Sequence, residues 1–125
     1  MTKHTKMKSC KILITGVSGF IGYHLAKRLI NEDWQVIGVD NINDYYDVNL
    51  KYARLNNLGI DQNKIEAGKL IKSKTNNNFQ FIQLALEDIN GLEQLFHEHP
   101  ISVVCNLGAQ AGVRFSIENP RAYVT

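Results

Sequence analysis

The stretch from Lys11 to Gly22, Lys-Ile-Leu-Ile-Thr-Gly-Val-Ser-Gly-Phe-Ile-Gly, constrains the fold most, because it joins a short apolar run to three glycines and then to a helical pattern. Ile12, Leu13 and Ile14 are too few for a helix and suit a parallel strand covered on both faces. From Ile21 onward, apolar residues recur at helical spacing through Leu25, Leu29 and Ile30, with Lys27, Arg28, Asn31 and Glu32 on the other side. The spacing predicts a strand-turn-helix unit. In it Gly16 permits the tight turn, Gly19 lets backbone N–H groups approach a pyrophosphate, and Gly22 allows the helix to pack close to the strand. The helix N-terminus would then face the anion with its unpaired N–H groups and its dipole.

A glycine trio alone is a weak signal, so the neighbouring residues have to support it. They do. A second apolar run, Gln35 to Val39, follows the helix and ends in Asp40, where an acidic side chain would accept from the ribose hydroxyls of a dinucleotide's adenosine half. A carboxylate there repels a 2′-phosphate, and Asn41 and Asn43 add no positive charge, so the expected cofactor is NAD rather than NADP. The competing role for Asp40 is to cap the following turn, and the two roles are compatible.

The remaining pattern alternates. Asp47 to Leu58 reads as a helix stopped by Gly59, Phe79 to Leu84 as a third strand, Asn90 to Glu98 as a short helix, and Ile101 to Leu107 as a fourth strand, with Pro100 at the junction. Residues 59–78 are polar, with Lys69, Lys72, Lys74 and three successive asparagines, and read as a mobile surface insertion with no site assigned to it. Residues 1–9 read as a polar leader. Alternating strands and helices predict an α/β fold, a three-layer doubly wound parallel sheet with strand order 3-2-1-4 and right-handed connections. At 125 residues and 44% hydrophobic the chain is long enough for one real core. A net charge of +2, partly from Lys3, Lys6 and Lys8, implies neither nucleic acid nor membrane. No apolar run approaches the roughly 20 residues that span a bilayer, and no signal peptide is visible, so a cytoplasmic protein is expected. Cys10 and Cys105 sit in or beside strand runs without metal spacing and read as free buried thiols.

The second informative stretch runs from Asn106 to Pro120, leaving strand four through small residues that would let a ligand come close. In a doubly wound sheet ligands bind beyond the carboxyl ends of the strands at the switch point, here between strands one and four. Both glycine-bearing segments meet there. Taken together, Thr15-Gly-x-x-Gly-x-x-Gly22, Asp40-Asn41 with Tyr45-Tyr46-Asp47, and Gln110-Ala-Gly-Val-Arg114 followed by Glu118-Asn-Pro120 resemble the extended short-chain dehydrogenase/reductase superfamily. Within it they are most similar to NAD-dependent nucleotide-sugar epimerases of the UDP-glucuronate 4-epimerase type, and the resemblance covers nearly all of residues 10–125.

The resemblance implies a Rossmann-like fold in which Gly16, Gly19, Phe20, Ile21 and Gly22 line the NAD pyrophosphate. It places Asp40, Asn41 and Asn43 at the adenosine ribose, and Leu107, Gly108, Ala109 and Gln110 beside the nicotinamide half. Arg114 would lie on the side of a UDP-sugar substrate, or be a solvated or helix-capping arginine. The chemistry implied is hydride transfer from the sugar C4 to NAD+, rotation of the 4-keto sugar and hydride return, with a Tyr-x-x-x-Lys pair as base.

Against this pattern, the sequence to Thr125 does not reach the family's catalytic segment or substrate domain, so no catalytic residue is assigned. Tyr23 and Lys27 have the right spacing but follow the phosphate loop, and the match reads as accidental. Asn106 and Gly108 replace the family's frequent His and Ala. Ala85 stands where many members place an Asp against adenine, and Asp88 either compensates or caps the next helix. His24, His97 and His99 form no catalytic pair, and no metal site is expected. Two functions follow: the cofactor-binding portion of a nucleotide-sugar epimerase, inactive by itself, or a non-catalytic dinucleotide-binding or interaction module. A cut through a larger domain is the expected origin of the final residues. Strand four would then be an exposed edge through which the chain forms a homo-oligomer.

Overall fold

The computed structural model describes residues 11–42 and 48–107. Strands β1 (Lys11–Thr15), β2 (Gln35–Asp40), β3 (Leu70–Lys72), β4 (Phe79–Gln83) and β5 (Ile101–Asn106) alternate with helices α1 (Phe20–Asn31), α2 (Val48–Asn57) and α3 (Ile89–Glu98). The sheet order is β3-β4-β2-β1-β5. β4, β2, β1 and β5 are mutually parallel, which is the expected 3-2-1-4 order.

The two faces separate by side-chain alternation. Ile12 and Ile14 of β1, Val36 of β2, and Phe79 and Phe81 of β4 point to one face, where Ala26 and Ile30 of α1 and Leu55 of α2 cover them. Leu13, Ile37, Val39 and Ile82 point to the other, against Leu92 and Leu95 of α3. Because both faces are covered, β1 and β2 are apolar almost throughout and their central residues are buried.

Residues 59–78 differ from the expected loose insertion. Gly59 adopts φ +88, and Ile60 N–H closes α2 by donating to Leu55 O at 2.9 Å. Ile60 itself is fully buried in the α1/α2 layer. A single 3-10 turn, Gln62–Lys64, is capped by Asp61, and β3 then pairs antiparallel with β4. Ser73, also buried, donates from Oγ to Leu58 O at 2.7 Å and accepts from the N–H groups of Thr75 and Asn76. The sheet is therefore mixed, with a fifth strand that a polar composition concealed.

Candidate functional site

The first constraint on the site is steric. β1 ends at Thr15, and Gly16 turns the chain with φ +72, a conformation that favours glycine. Its N–H donates to Val39 O at 2.7 Å, which pins the loop to the end of β2. A Cβ on Gly22 would stand 2.2 Å from Gly16 O and 2.9 Å from Gly16 C, both backbone atoms, so α1 lies closer to the loop than any side chain permits. A Cβ on Gly19 would meet the same carbonyl at 3.3 Å. Gly19 starts α1 with no side-chain cap, and the first turn carries no acidic residue. The N-terminal N–H groups of α1 and its dipole are thus left to an outside anion. Phe20 and Ile21, the first residues of α1, are exposed, at 65% and 64%.

Asp40 at the end of β2 is built into this loop. Its Oδ2 accepts from Ser18 N–H at 3.0 Å and from Ser18 Oγ at 2.6 Å, and its Oδ1 accepts from Ile42 N–H at 2.9 Å. The last bond is the turn cap that the sequence allowed for Asp40. These bonds fill three of the four carboxylate acceptor positions. Ser18, fully buried, was missed from sequence, where a serine between two glycines reads as loop filler. Arg54 of α2 was missed as well. Its Nη1 donates to Ser18 O at 3.0 Å, and its guanidinium lies 5.9 Å from the Phe20 ring centre, so α2 holds the loop from the far side.

The carboxyl ends of β1, β2, β4 and β5 gather around this loop. Thr15 Oγ1 donates to Asn106 Oδ1 and ties β1 to β5, while Leu107 N–H donates to Thr15 O at 3.2 Å. Between β2 and β4 a cleft opens, lined by Gly16, Val39, Asp40 and Asn41 on one side and Leu84, Leu86 and Glu87 on the other. Gln83 Nε2 donates to Asn41 O at 3.3 Å and ties the ends of β2 and β4 together. Asp88 does not line it: its Oδ1 accepts from Gly91 N–H at 2.9 Å, which makes it the cap of α3. Asn43, Gly108, Ala109, Gln110 and Arg114 lie outside the described residues, as do Cys10 and the Tyr45-Tyr46 pair.

Tyr23 donates its hydroxyl to Asn57 Oδ1 at 2.6 Å, which holds α1 to α2, and its ring packs edge-on against His24, with Lys27 Nζ 5.8 Å from the ring centre. Lys11 Nζ lies 2.9 Å from His99 Nδ1 at the opposite end of β1. Burial lowers the pKa of both, and each is lowered further by a neighbouring positive charge, Lys72 for Lys11 and Lys11 for His99. Cys105 is a free, half-buried thiol whose pKa burial pushes up. Among the described residues no group of histidines, cysteines and carboxylates could hold a metal ion, and no helix is long and apolar enough to cross a membrane.

Residues 13–125 match the model of the GDP-mannose 4,6-dehydratase family. The chain belongs to that family. It is 49% identical over 114 residues to protein CapI of Staphylococcus aureus, covering 91% of this chain and 29% of that protein. To the UDP-glucuronate 4-epimerase of Thermodesulfobacterium geofontis it is 44% identical over 112 residues, with 90% of this chain and 30% of the enzyme covered. Among solved structures, the UDP-glucuronic acid 4-epimerase of Bacillus cereus, in complex with a fluorinated UDP-glucuronic acid and NAD, superposes with a TM-score of 0.61 at 32% identity. That superposition covers 85% of this chain and 28% of the enzyme. The chain thus spans under a third of the length of these family members, and the shared part is the Rossmann-like unit that carries the glycine loop.

Proposed function

We propose that the chain supplies the NAD-binding elements of a nucleotide-sugar 4-epimerase acting on a UDP-uronate such as UDP-glucuronate. The observation that carries this reading is the loop geometry, a backbone approach at Gly22 that excludes any Cβ, set beside the Asp40 carboxylate. The diphosphate would lie against the N–H groups of the loop and of α1, helped by the dipole and by the absence of acidic side chains in the first turn. Asp40 would accept from a ribose hydroxyl through Oδ1 and repel a 2′-phosphate, which selects NAD. Asn41 and Asn43 would complete the ribose side, and Leu107 to Gln110 would flank the nicotinamide half. When bound, NAD would supply the hydride acceptor and donor for C4. This chain's own residues bind and orient it, and none of the described ones is given a proton-transfer role.

UDP-glucuronate epimerases among the relatives and NAD in the B. cereus complex support the choice of substrate class and cofactor. The free Cys105 thiol accords with a reducing, cytoplasmic setting. Among the described residues β5 has one sheet neighbour and exposes Val103, so pairing of two copies along β5 is the oligomer we propose. Calorimetric titration of the chain with NAD+, with NADP+ as control, tests the cofactor reading. Saturable NAD+ binding that Asp40→Ala abolishes is expected, and binding of neither dinucleotide would overturn it.

A further inference from the structure

Three basic side chains from separate elements meet on the α3 face of the sheet, at the end opposite the nucleotide cleft. Alternation along the strands puts Lys11 on the face of Leu13 and Lys72 on the face of Leu70, and both leucines belong to the apolar layer under α3. The backbone sets His99 beside them: its N–H closes α3 by donating to Leu95 O at 3.1 Å, and Lys11 N–H donates to Pro100 O at 3.2 Å. Lys11 Nζ then stands 2.9 Å from His99 Nδ1. An ammonium can only donate, so Nδ1 is the acceptor and the ring keeps its N–H on Nε2. Residues 59–78, read from sequence as an insertion with no site, contribute Lys72.

The charge of this cluster is not balanced. Burial is the larger cause of the lowered pKa of Lys11 and of His99, and like charge is the next, from Lys72 on Lys11 and from Lys11 on His99. Glu98 opposes the effect at His99, but its Oε2 already accepts from Gln94 Nε2 at 3.0 Å. Among the described residues no carboxylate forms an ion pair with Lys11 or Lys72. A groove of about 380 Å³ between α3 and the β3–β4 pair reaches His99, with a mixed lining that includes Leu70 and Ile82 as well as Asp88 and Glu98. We propose that Lys11, Lys72 and His99 form a phosphate site at the amino end of the sheet, about 13 Å along β1 from the glycine loop. Phosphate suits these donors better than carboxylate, because lysine binds it as a point charge and none of the three offers the planar fork of an arginine. A bound phosphate offsets the like charges that face the His99 ring from β1 and β3, against the single Glu98 on its own helix. The site shares no residue with the proposed NAD site.

The test is proton NMR of the chain titrated with inorganic phosphate at constant pH and ionic strength, with glycerol phosphate as a second arm and acetate as control. The His99 ring signals should shift saturably with a dissociation constant on the order of 1 mM, the range that a few exposed charged contacts reach. Those of His24 and His97, exposed on α1 and α3, should not. Lys72→Gln should weaken binding about threefold, and Lys11→Gln, which also removes the bond to His99, about tenfold. Lys72 is exposed, so Lys72→Gln should fold as the parent does by circular dichroism, and it carries the test if Lys11→Gln does not fold. Tighter binding of glycerol phosphate would assign the site to a phosphomonoester, and equal or weaker binding to free phosphate. His99 shifts that do not saturate, that acetate reproduces at the same concentrations, or that persist unweakened in Lys72→Gln would overturn the proposal.

Discussion

Replacing Gly22 by alanine sets two effects against each other, and the structure decides which wins. Helix propensity alone favours the change by about 1 kcal/mol, since Gly22 lies in the first turn of α1. The added Cβ, however, would stand 2.2 Å from Gly16 O, about an ångström inside ordinary contact, and the atoms it meets are backbone. They cannot swing aside as a side chain would. Gly16 is held at φ +72 and bonded through its N–H to Val39 O, so relief requires the loop to leave β2 or α1 to tilt off the sheet. Overpacking of this kind costs about 1–3 kcal/mol, and weakening the buried Gly16–Val39 bond adds about 1 kcal/mol. After the propensity gain is subtracted, Gly22→Ala should lose about 2 kcal/mol, a fall in Tm of roughly 10 °C for a domain of this size. Thermal and urea unfolding followed by circular dichroism measure it. Gly68→Ala is the control, since Gly68 has φ +80 but open space around its Cβ position, and it should lose only about 1 kcal/mol of backbone strain. A Gly22→Ala variant as stable as the parent, or more so, would refute the steric argument and leave helix propensity as the dominant effect.

Ser18→Ala removes one bond to the Asp40 carboxylate but keeps the backbone one, and should lower stability by about 1–2 kcal/mol, read as a lower urea midpoint at unchanged slope. An unmoved midpoint would show that the Ser18 hydroxyl does not hold Asp40 in solution. For His99 the folded pKa lies below the unfolded one, so the unfolded chain binds more protons between the two values and stability falls as pH drops below about 6.5. His99→Gln should flatten that part of the stability profile, and an unchanged acid slope would count against burial as the cause. Cys105, with its thiol pKa raised by burial, should alkylate with iodoacetamide at pH 8 more slowly in the native chain than in urea; equal rates would contradict its placement on β5.

The parts of the fold that were legible in the sequence are those whose environment is uniform. β1 and β2 are apolar nearly end to end because helices cover both faces, and Asp40 stood out because it interrupts such a run at its carboxyl end. β3 was not legible, since Leu70 and Ile71 are two apolar residues in a polar stretch and become a strand by pairing with β4. Local composition carries no trace of that partner. Ser18 and Arg54 were hidden for a related reason: the bonds that matter run to Asp40 and from α2 to the loop, between residues distant in sequence. One signal was available and passed over. Gly38 sits inside β2, and a Cβ there would meet the Val17 side chain at 2.8 Å, so a glycine within a strand marked the close approach of the loop above it.

The antiparallel direction of β3 gives the sheet a polarity of growth. A parallel sheet is an addition polymer in which each strand templates the next, and its two ends compete for monomers. Here one end carries a terminator: three residues run the wrong way, with Lys69 beside them and Lys72 at their end, and they offer an incoming parallel strand almost nothing to copy. Among the described residues, parallel pairing can therefore extend only from β5, the strand farthest from β3 and the one whose end meets that of β1.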